Sequence, residues 1–285
     1  MNLIPIETPE DFLLAQHIVL AHEETSVSLA SLVRRESSNL IFISSADIPH
    51  SVNEILGVID LDHTIYHCIP DISKVDDKEF SAKITSFIKK PVRCISGELL
   101  ATDFLIKNMC GNEKIPKTVF PYKMMHYQPS GVFEPVETTP QLSDGDEIIR
   151  CTENDIELLH PLQKKYMNEE VAGPDHKITD QEVDIMLRQI LKNQLCFALI
   201  SDGEPAAKAN TNAIGFNCVQ IGGVFTHPLY RHNGYAAALV TALCQRAIRA
   251  HKHPVLFVKE KNTPAFTLYQ KLGFTECGRY KIAYF

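Results

Sequence analysis

Residues 224–236 read VFTHPLYRHNGYA and join a short apolar segment to a long run with helical periodicity. Apolar residues after Gly234 recur every three to four positions as far as Ala250, which favours a helix over the hairpin that Asn233-Gly234 alone would allow. The first turn of a helix has unpaired backbone N–H groups and a partial positive charge. Because Gly234 and Ala236 add little bulk there, the segment is suited to bind an anion such as a pyrophosphate.

The elements around this segment predict a layered fold. Strands are expected at 148–151, 195–201, 206–213, 217–226, 255–258 and 275–285, and helices at 154–170, 180–194, 234–250 and 263–272. In the last helix Thr263 is the expected N-cap and Gly273 the expected C-cap. This order indicates an α+β fold, with helices that cover a mixed sheet.

The N-terminal part has a similar outline but lacks the anion-binding loop. Helices are expected at 9–21, 78–89 and 102–110, and strands at 39–45, 55–60, 64–68, 92–96 and 120–127. The corresponding loop, PDISKVDD at 70–77, has no glycine, and its carboxylates would repel a pyrophosphate. A segment rich in turn residues at 136–146 is the expected linker between domains at 1–135 and 147–285.

Two segments together resemble the acyl-CoA site of the GNAT (GCN5-related N-acetyltransferase) superfamily. In that family Arg/Gln-x-x-Gly-x-Gly/Ala follows the fourth strand, and here Arg231, Gly234 and Ala236 match it. The second segment, NTPAFTLYQKLGF at 262–274, is similar to the family's Asn-x-x-Ala…Leu-Tyr-x-Lys-x-Gly-Phe. Two motifs in this order, separated by one helix and one strand, are more specific than either alone. The resemblance covers residues 147–285 well and 1–135 in outline, as in a tandem protein with a degenerate first half.

The resemblance implies a fold, a cofactor and a set of site residues. The fold would be α+β, with two GNAT-like domains, each a mixed and mostly antiparallel sheet flanked by helices. The acyl donor would be acetyl-CoA, without a metal. The implied cofactor-binding residues are Val224, Phe225, Thr226, Arg231, His232, Asn233, Gly234, Tyr235, Ala236, Ala237 and Asn262. For Asn262, contact with the pantetheine arm and capping of the following helix both remain open.

The implied chemistry is direct transfer of an acyl group to an amine. A neutral amine would attack the thioester, and a backbone N–H at the strand end Val224-Phe225 would polarise the carbonyl oxygen. The tyrosine of the second motif, Tyr269, would act as general acid toward the departing thiolate. A packed core tyrosine is the alternative interpretation of Tyr269.

The general base is less well defined by the sequence. Glu169 and Glu170 end the helix near which family acceptors bind, although paired glutamates at such a place are also typical of a solvated helix end. His227 precedes the cofactor loop, which favours a structural or cofactor-side role. A further interpretation puts Tyr284 and the terminal carboxylate of Phe285 in the acceptor channel.

Composition limits the other functions. The net charge is −7, and its acidic excess lies in residues 1–140, with 19 Asp/Glu against 12 Lys/Arg. Because no basic stripe is present, nucleic acid is not an expected partner. There is no signal-peptide pattern and no apolar run long enough to span a membrane. The eight cysteines lack zinc-site spacing and are expected to be free thiols of a cytoplasmic protein, monomeric or homodimeric.

Two other functions stay open at this stage. The chain could be a CoA-sensing or scaffolding module that keeps the cofactor site and has lost acceptor chemistry. It could also transfer longer acyl or aminoacyl groups. The favoured interpretation is an acetyltransferase that acts on a small-molecule or peptide amine.

Overall fold

The structure is a computed structural model, and it describes residues 1–110, 115–128, 142–172 and 177–285 of the 285-residue chain. Its strands are β1 (Asn2–Pro5), β2 (Leu40–Ser44), β3 (Ile55–Leu61), β4 (Thr64–Cys68), β5 (Cys94–Glu98), β6 (Thr118–Tyr127), β7 (Asp146–Arg150), β8 (Cys196–Ser201), β9 (Glu204–Ile214), β10 (Cys218–Thr226), β11 (His253–Lys259) and β12 (Phe274–Tyr284). Its α-helices are α1 (Pro9–Ala21), α2 (Glu23–Arg34), α3 (Asp77–Phe87), α4 (Leu99–Cys110), α5 (Ile156–Tyr166), α6 (Asp180–Asn193), α7 (Tyr235–Arg249) and α8 (Thr263–Lys271).

All twelve strands belong to one sheet, in the order β1-β2-β3-β4-β5-β12-β6-β11-β10-β9-β8-β7. Neighbouring strands are antiparallel except for β4–β5 and β10–β11, which are parallel. The predicted α+β class, with a mixed and mostly antiparallel sheet flanked by helices, is therefore confirmed.

The last strand of each half lies between two strands of the other half. Strand β12 pairs with β5 on one side and with β6 on the other, and β6 pairs in turn with β11. The second-half core consequently contains Met125 and Tyr127 of β6, packed with residues of α7 and α8. The two halves share their sheet and their core. The boundaries at 1–135 and 147–285 stay a prediction, and most of the expected linker 136–146 lies outside the described residues.

Helix α7 is buried as its sequence period predicts. Leu239, Val240 and Leu243 are at most 1% exposed and pack on the strands of the second half. Because the apolar stripe of α7 fixes the rotation of the helix, it also fixes where the first turn of the helix lies.

One capping prediction is wrong. The N-cap of α8 is Asn262 and not Thr263, since the Asn262 side chain accepts a hydrogen bond from the N–H of Ala265 at 3.1 Å. Asn is a strong N-cap residue, and the following Pro264 is suited to the first turn. Gly273 follows the helix with φ +92°, one residue after the C-cap Leu272.

Two other features bear on the sequence expectations. Among the described residues, no helix has the length and apolarity that crossing a bilayer requires. The cysteines whose side chains are described are free thiols, and all of them except Cys277 are buried.

Candidate active site

The site begins where strands β10 and β11 separate. They pair in parallel from Cys218–His253 to Ile221–Leu256, and the pairing ends there although both strands continue. Against β9, strand β10 shifts register between Gly222 and Phe225. Gly223 lies in this bulge with φ +58°, and a Cβ there would come within 2.0 Å of Asn210 Oδ1. The bulge therefore needs glycine, and it turns the end of β10 away from β11.

The first turn of α7 closes one end of this opening. The N-cap Gly234 has φ +78°, and no side chain caps the helix. The N–H of Ala238 donates to Gly234 O at 3.0 Å, so residues 235–237 precede the first donor of the helical ladder. Their N–H groups therefore remain available to an anion.

A cleft of about 630 Å³ runs from this helix start to the separated strands. It is lined by the predicted cofactor residues Val224, Phe225, Thr226, Arg231, His232, Gly234, Tyr235, Ala236, Ala237 and Asn262. Asn233 is not among them, because its Nδ2 donates to Tyr230 O at 3.3 Å within the loop. The structure thus brings together all the predicted cofactor residues but one.

The side chains of two of these residues form hydrogen bonds with other parts of the protein. The Tyr235 hydroxyl forms hydrogen bonds with Ser201 Oγ at 3.1 Å and Asp146 Oδ1 at 3.0 Å. Tyr235 therefore offers its backbone to the cleft. The Asn262 side chain caps α8, the second of the two roles left open by the sequence, and Asn262 also lines the cleft.

Tyr269 lies in the wall of the cleft and is 7% exposed. Burial raises the pKa of its phenol above its usual value, with smaller contributions from Tyr166 and Glu170. A raised pKa keeps the hydroxyl protonated at neutral pH, which is the state that a proton donor needs.

The two candidate glutamates have different partners. They belong to a π-helical turn, Met167–Val171, that follows α5. Glu169 accepts hydrogen bonds from Arg231 Nη2 at 2.7 and 2.8 Å, and Glu170 forms an ion pair with Lys259 at 3.0 Å. Glu169 is therefore tied to the cofactor loop, whereas Glu170 lies among the residues that line both the first cleft and a second cavity.

The second cavity, of about 600 Å³, adjoins the first cleft. Tyr122, Tyr166 and Glu170 line both spaces, as does the segment 221–223 at the bulge. Tyr284 lines the second cavity, while the side chain of Phe285 packs against the core of the N-terminal half. The separated strands thus form a passage between two spaces.

Sequence reasoning missed Lys208, which is fully buried in β9. Its ammonium donates to Asn210 Oδ1 and to Gly223 O, both at 3.0 Å, and lies 4.8 Å from the centre of the Tyr166 ring. Burial lowers the pKa of Lys208 to about 8. The available signal was the group of polar residues in KANTN, 208–212, between the apolar residues of a predicted strand.

The equivalent place in the N-terminal half is filled. Strands β4 and β5 also pair in parallel, as far as Tyr66–Ser96. Beyond that point the buried His67 ring lies against Gly97, where a Cβ would come within 2.1 Å of His67 Nε2. Helix α3 is capped by the carboxylate of Asp76, which accepts from the N–H of Glu79. Side chains of the protein therefore occupy the space and the amides that stay open in the second half.

One other group of potential metal ligands occurs in the described ranges. Donor atoms of Glu24, His126 and Cys277 lie within 4.8 Å of one another. None of the three lines the first cleft or the second cavity.

Fold and cleft together define a mixed α+β protein in which two parallel strands separate beside an uncapped helix start. Residues 159–274 match the Acetyltransferase (GNAT) family. The family match covers the second half of the chain, and the chain as a whole shares its fold with a tandem GNAT protein. No curated protein matches the chain.

Solved structures with low identity share this fold over nearly the whole chain. A Drosophila protein is 11% identical, with 99% of this chain and 98% of that chain covered and a TM-score of 0.64. A tandem GNAT protein from the clavulanic acid biosynthesis pathway is 11% identical, covering 99% and 97%, with a TM-score of 0.62. A GCN5-related N-acetyltransferase from Sphaerobacter thermophilus is 14% identical, covering 99% and 94%, with a TM-score of 0.60. These similarities concern the fold alone.

Proposed function

We propose that the protein is an acyl-CoA-dependent N-acyltransferase that transfers acetyl from acetyl-CoA to a primary amine by direct attack. The observation that carries the proposal is the continuous cleft between the uncapped start of α7 and Tyr269, at the point where β10 and β11 separate. Its walls contain both an anion-binding end and a buried proton donor. The matching place in the first half is filled, so we propose one active site per chain.

The donor substrate would be held by backbone groups more than by side chains. The N–H groups of residues 235–237 and the guanidinium of Arg231 suit a pyrophosphate. The edge of β10 that faced β11 has no partner strand at 222–226, and there it offers main-chain donors and acceptors to the amide groups of a pantetheine arm. A strand edge without its partner is a suitable place to bind an extended chain.

The transfer needs two proton movements. The amine nitrogen forms a bond to the thioester carbon, the C–S bond breaks, and Tyr269 gives its proton to the departing sulfur. A backbone N–H at Val224-Phe225 stabilises the charge on the oxygen. The amine loses a proton, directly or through water, to Glu170, which lines both spaces. No acyl-enzyme is needed.

Thiol release tests the proposal directly. The protein is incubated with acetyl-CoA and a panel of primary amines, and free CoA thiol and acetylated amine are measured together. CoA affinity is measured by isothermal titration calorimetry for wild type, Gly234→Asp and Gly203→Asp. The two glycines have similar φ values, +78° and +83°, but Gly203 is not a cleft residue. An Asp at 234 would occupy the α7 amides, so we expect loss of CoA binding in this variant alone.

One observation favours a second candidate, a CoA-binding module without transfer. The Glu170 carboxylate is engaged by Lys259, which also donates to Glu170 O. If CoA binds while no amine in the panel releases thiol, this second function is the correct one. Mass spectrometry of the ligand that co-purifies with the protein shows whether a longer acyl donor replaces acetyl-CoA.

A further inference from the structure

The second cavity is built by both halves of the chain. Ser28 and Arg35 come from the region of α2, Tyr66 from β4, and Gln189 from α6 of the other half. The cavity adjoins the cofactor cleft at the separated strands. An acceptor that occupied it would reach the reacting centre without crossing the donor cleft. The inference below rests on the proposed function.

One of the two charged side chains in this cavity has no partner of opposite charge. Among the described residues that line it, Arg35 and Glu170 alone carry formal charges. Glu170 is paired with Lys259 at 3.0 Å. The Arg35 side chain has no hydrogen bond or ion pair with any described residue, and Arg35 is an exposed residue in the lining of the cavity. A guanidinium without a partner in a concave site suits a planar anion such as a carboxylate.

Tyrosine hydroxyls add neutral donors to the same cavity. The hydroxyls of Tyr66, Tyr122 and Tyr284 have no hydrogen-bond partner within the part of the chain that the structure describes. Burial raises the pKa of all three phenols. They therefore stay protonated and able to donate to an anion. By contrast, the Tyr280 hydroxyl is already bonded to Ser96 Oγ at 2.9 Å.

We propose that the second cavity binds a small amine that also carries a carboxylate, and that Arg35 with the free tyrosine hydroxyls recognises this carboxylate. The amine end lies toward Glu170 and the separated strands. In the reaction the amine nitrogen forms an amide bond with the acyl carbon and loses one proton to Glu170, the C–S bond breaks, and CoA leaves as its thiol with the proton from Tyr269. Proton exchange with solvent then restores Glu170 and Tyr269. The product is an N-acyl amino acid or a related acid.

Binding to the CoA-saturated protein separates this inference from catalysis. Glycine, β-alanine and 4-aminobutyrate are titrated by calorimetry beside their carboxamides, which keep the amine and lose the anion. We expect at least one acid to bind roughly tenfold more tightly than its amide, a difference of about 1.4 kcal/mol. If no acid in the panel binds, or if acid and amide bind equally, the inference is wrong. If CoA itself does not bind, the proposed function is wrong, and titration of the free protein still decides the inference.

Substitutions at Arg35 identify the recognising group. Arg35→Gln should raise KM for the acid by roughly tenfold, with kcat and the KM for the amide changed less than twofold. Arg35→Glu should make a diamine of the same length the better acceptor. Arg34→Gln is the matched control, because Arg34 is an exposed neighbour that does not line the cavity. Equal loss for acid and amide in Arg35→Gln, or the same loss in Arg34→Gln, would overturn the assignment.

Discussion

The carboxylate of Glu169 accepts two hydrogen bonds from Arg231 Nη2, at 2.7 and 2.8 Å, and both residues line the first cleft. The Arg231 Nε also donates to Thr226 O at 3.2 Å, which holds the side chain along the cofactor loop. Arg231 is the cation that the sequence motif assigns to a pyrophosphate. In the structure, the Arg231 guanidinium is bound instead by a carboxylate of the π-helical turn.

This pair predicts that Glu169→Gln will bind CoA more tightly than wild type. Both side chains are partly exposed, 40% and 45%, so solvent screens the ion pair. Such a pair contributes at most about 1 kcal/mol, which limits the expected gain in affinity to roughly fivefold. Calorimetric titration with CoA at low and at high salt measures the effect, and the gain should shrink as salt rises. Weaker binding by Glu169→Gln would mean that Glu169 supports the loop instead of competing with the donor.

Tyr269→Phe is expected to lower kcat by roughly 10²-fold with little change in CoA affinity. The hydroxyl is the only group removed, and the ring keeps its packing with Phe274. Steady-state thiol release gives kcat, and calorimetry gives the CoA affinity. Tyr127→Phe is the matched control, since Tyr127 packs against the same Phe274 and does not line the first cleft. Unchanged turnover in Tyr269→Phe would show that Tyr269 is not the general acid.

The local parts of this site could be read from the sequence. The spacing of apolar residues in α7 predicts its buried face, and Gly234 marks the turn that requires a positive φ. The cofactor loop could therefore be predicted from residues that are close together in the sequence. The interleaved strands β6 and β12 could not be read in this way. Their pairing joins residues about 150 positions apart, and the period of a strand reports its buried face without naming its partner.

Helix α2 was also missed, for a local reason. Its sequence EETSVSLASLVR is rich in Ser and Thr, which are weak helix formers, and Ser26 has non-helical angles within it. Its position is fixed by tertiary contacts: Glu23 accepts hydrogen bonds from the N–H groups of Asn217 and Cys218, about 195 residues away. Because Arg35 follows α2, the second cavity could not be assembled from the sequence either.

The buried His67 makes stability depend on pH. Burial lowers its pKa to about 3, against an ordinary value of 6.5, and its Nδ1 has no hydrogen-bond partner. Between these pH values the unfolded chain binds a proton that the folded chain does not. The contribution of His67 to the free energy of unfolding is therefore fully present above about pH 6.5. It falls as the pH drops below this value, by up to roughly 1.4 kcal/mol per pH unit.

Urea unfolding of wild type and His67→Gln from pH 7.5 to 5 measures the contribution of His67. We expect the wild type to lose more stability than His67→Gln over this range, because glutamine does not titrate. His63→Gln is the control, since His63 is partly exposed and bonded to Pro91 O at 3.0 Å. Parallel curves for wild type and His67→Gln would show that His67 binds protons equally in the folded and unfolded chain, so that burial does not lower its pKa.

Because β6 and β12 each lie between strands of the other half, we predict that residues 142–285 will not fold alone. Without residues 1–141, strand β11 loses its partner β6, strand β12 loses both β5 and β6, and the core around Leu256 and Phe274 loses Met125 and Tyr127. We expect aggregation or a non-cooperative thermal transition for this fragment. Co-expression of 1–128 with 142–285 should restore a complex that elutes at the size of the intact chain and unfolds cooperatively. A stable, monomeric fragment 142–285 would contradict the shared core.

Lys208 is expected to be a positioning residue for the bulge at Gly223. Its ammonium has no carboxylate partner among the described residues, and burial lowers its pKa from 10.5 to about 8, so keeping the charge opposes folding at neutral pH. The unfolded chain binds more protons between these values, and the stability of wild type should therefore rise as the pH goes from 8 to 10. Lys208→Met removes the charge at similar length and should abolish this rise.

Because Gly223 O and Asn210 Oδ1 lose their donor in Lys208→Met, we expect kcat to fall tenfold or more while the melting temperature at pH 7 changes little.

The matched control for Lys208→Met is Lys252→Met. Lys252 also donates to two backbone carbonyls, Gly215 O at 3.0 Å and Phe216 O at 2.6 Å, but lines neither cavity. Its removal should lower stability and leave kcat unchanged, the reverse of the pattern expected for Lys208. If both variants lose stability and activity in the same proportion, Lys208 is a structural lysine without a particular role at the bulge. A separation of the two effects would show that this buried charge is kept because it holds the end of β10 open beside the thioester.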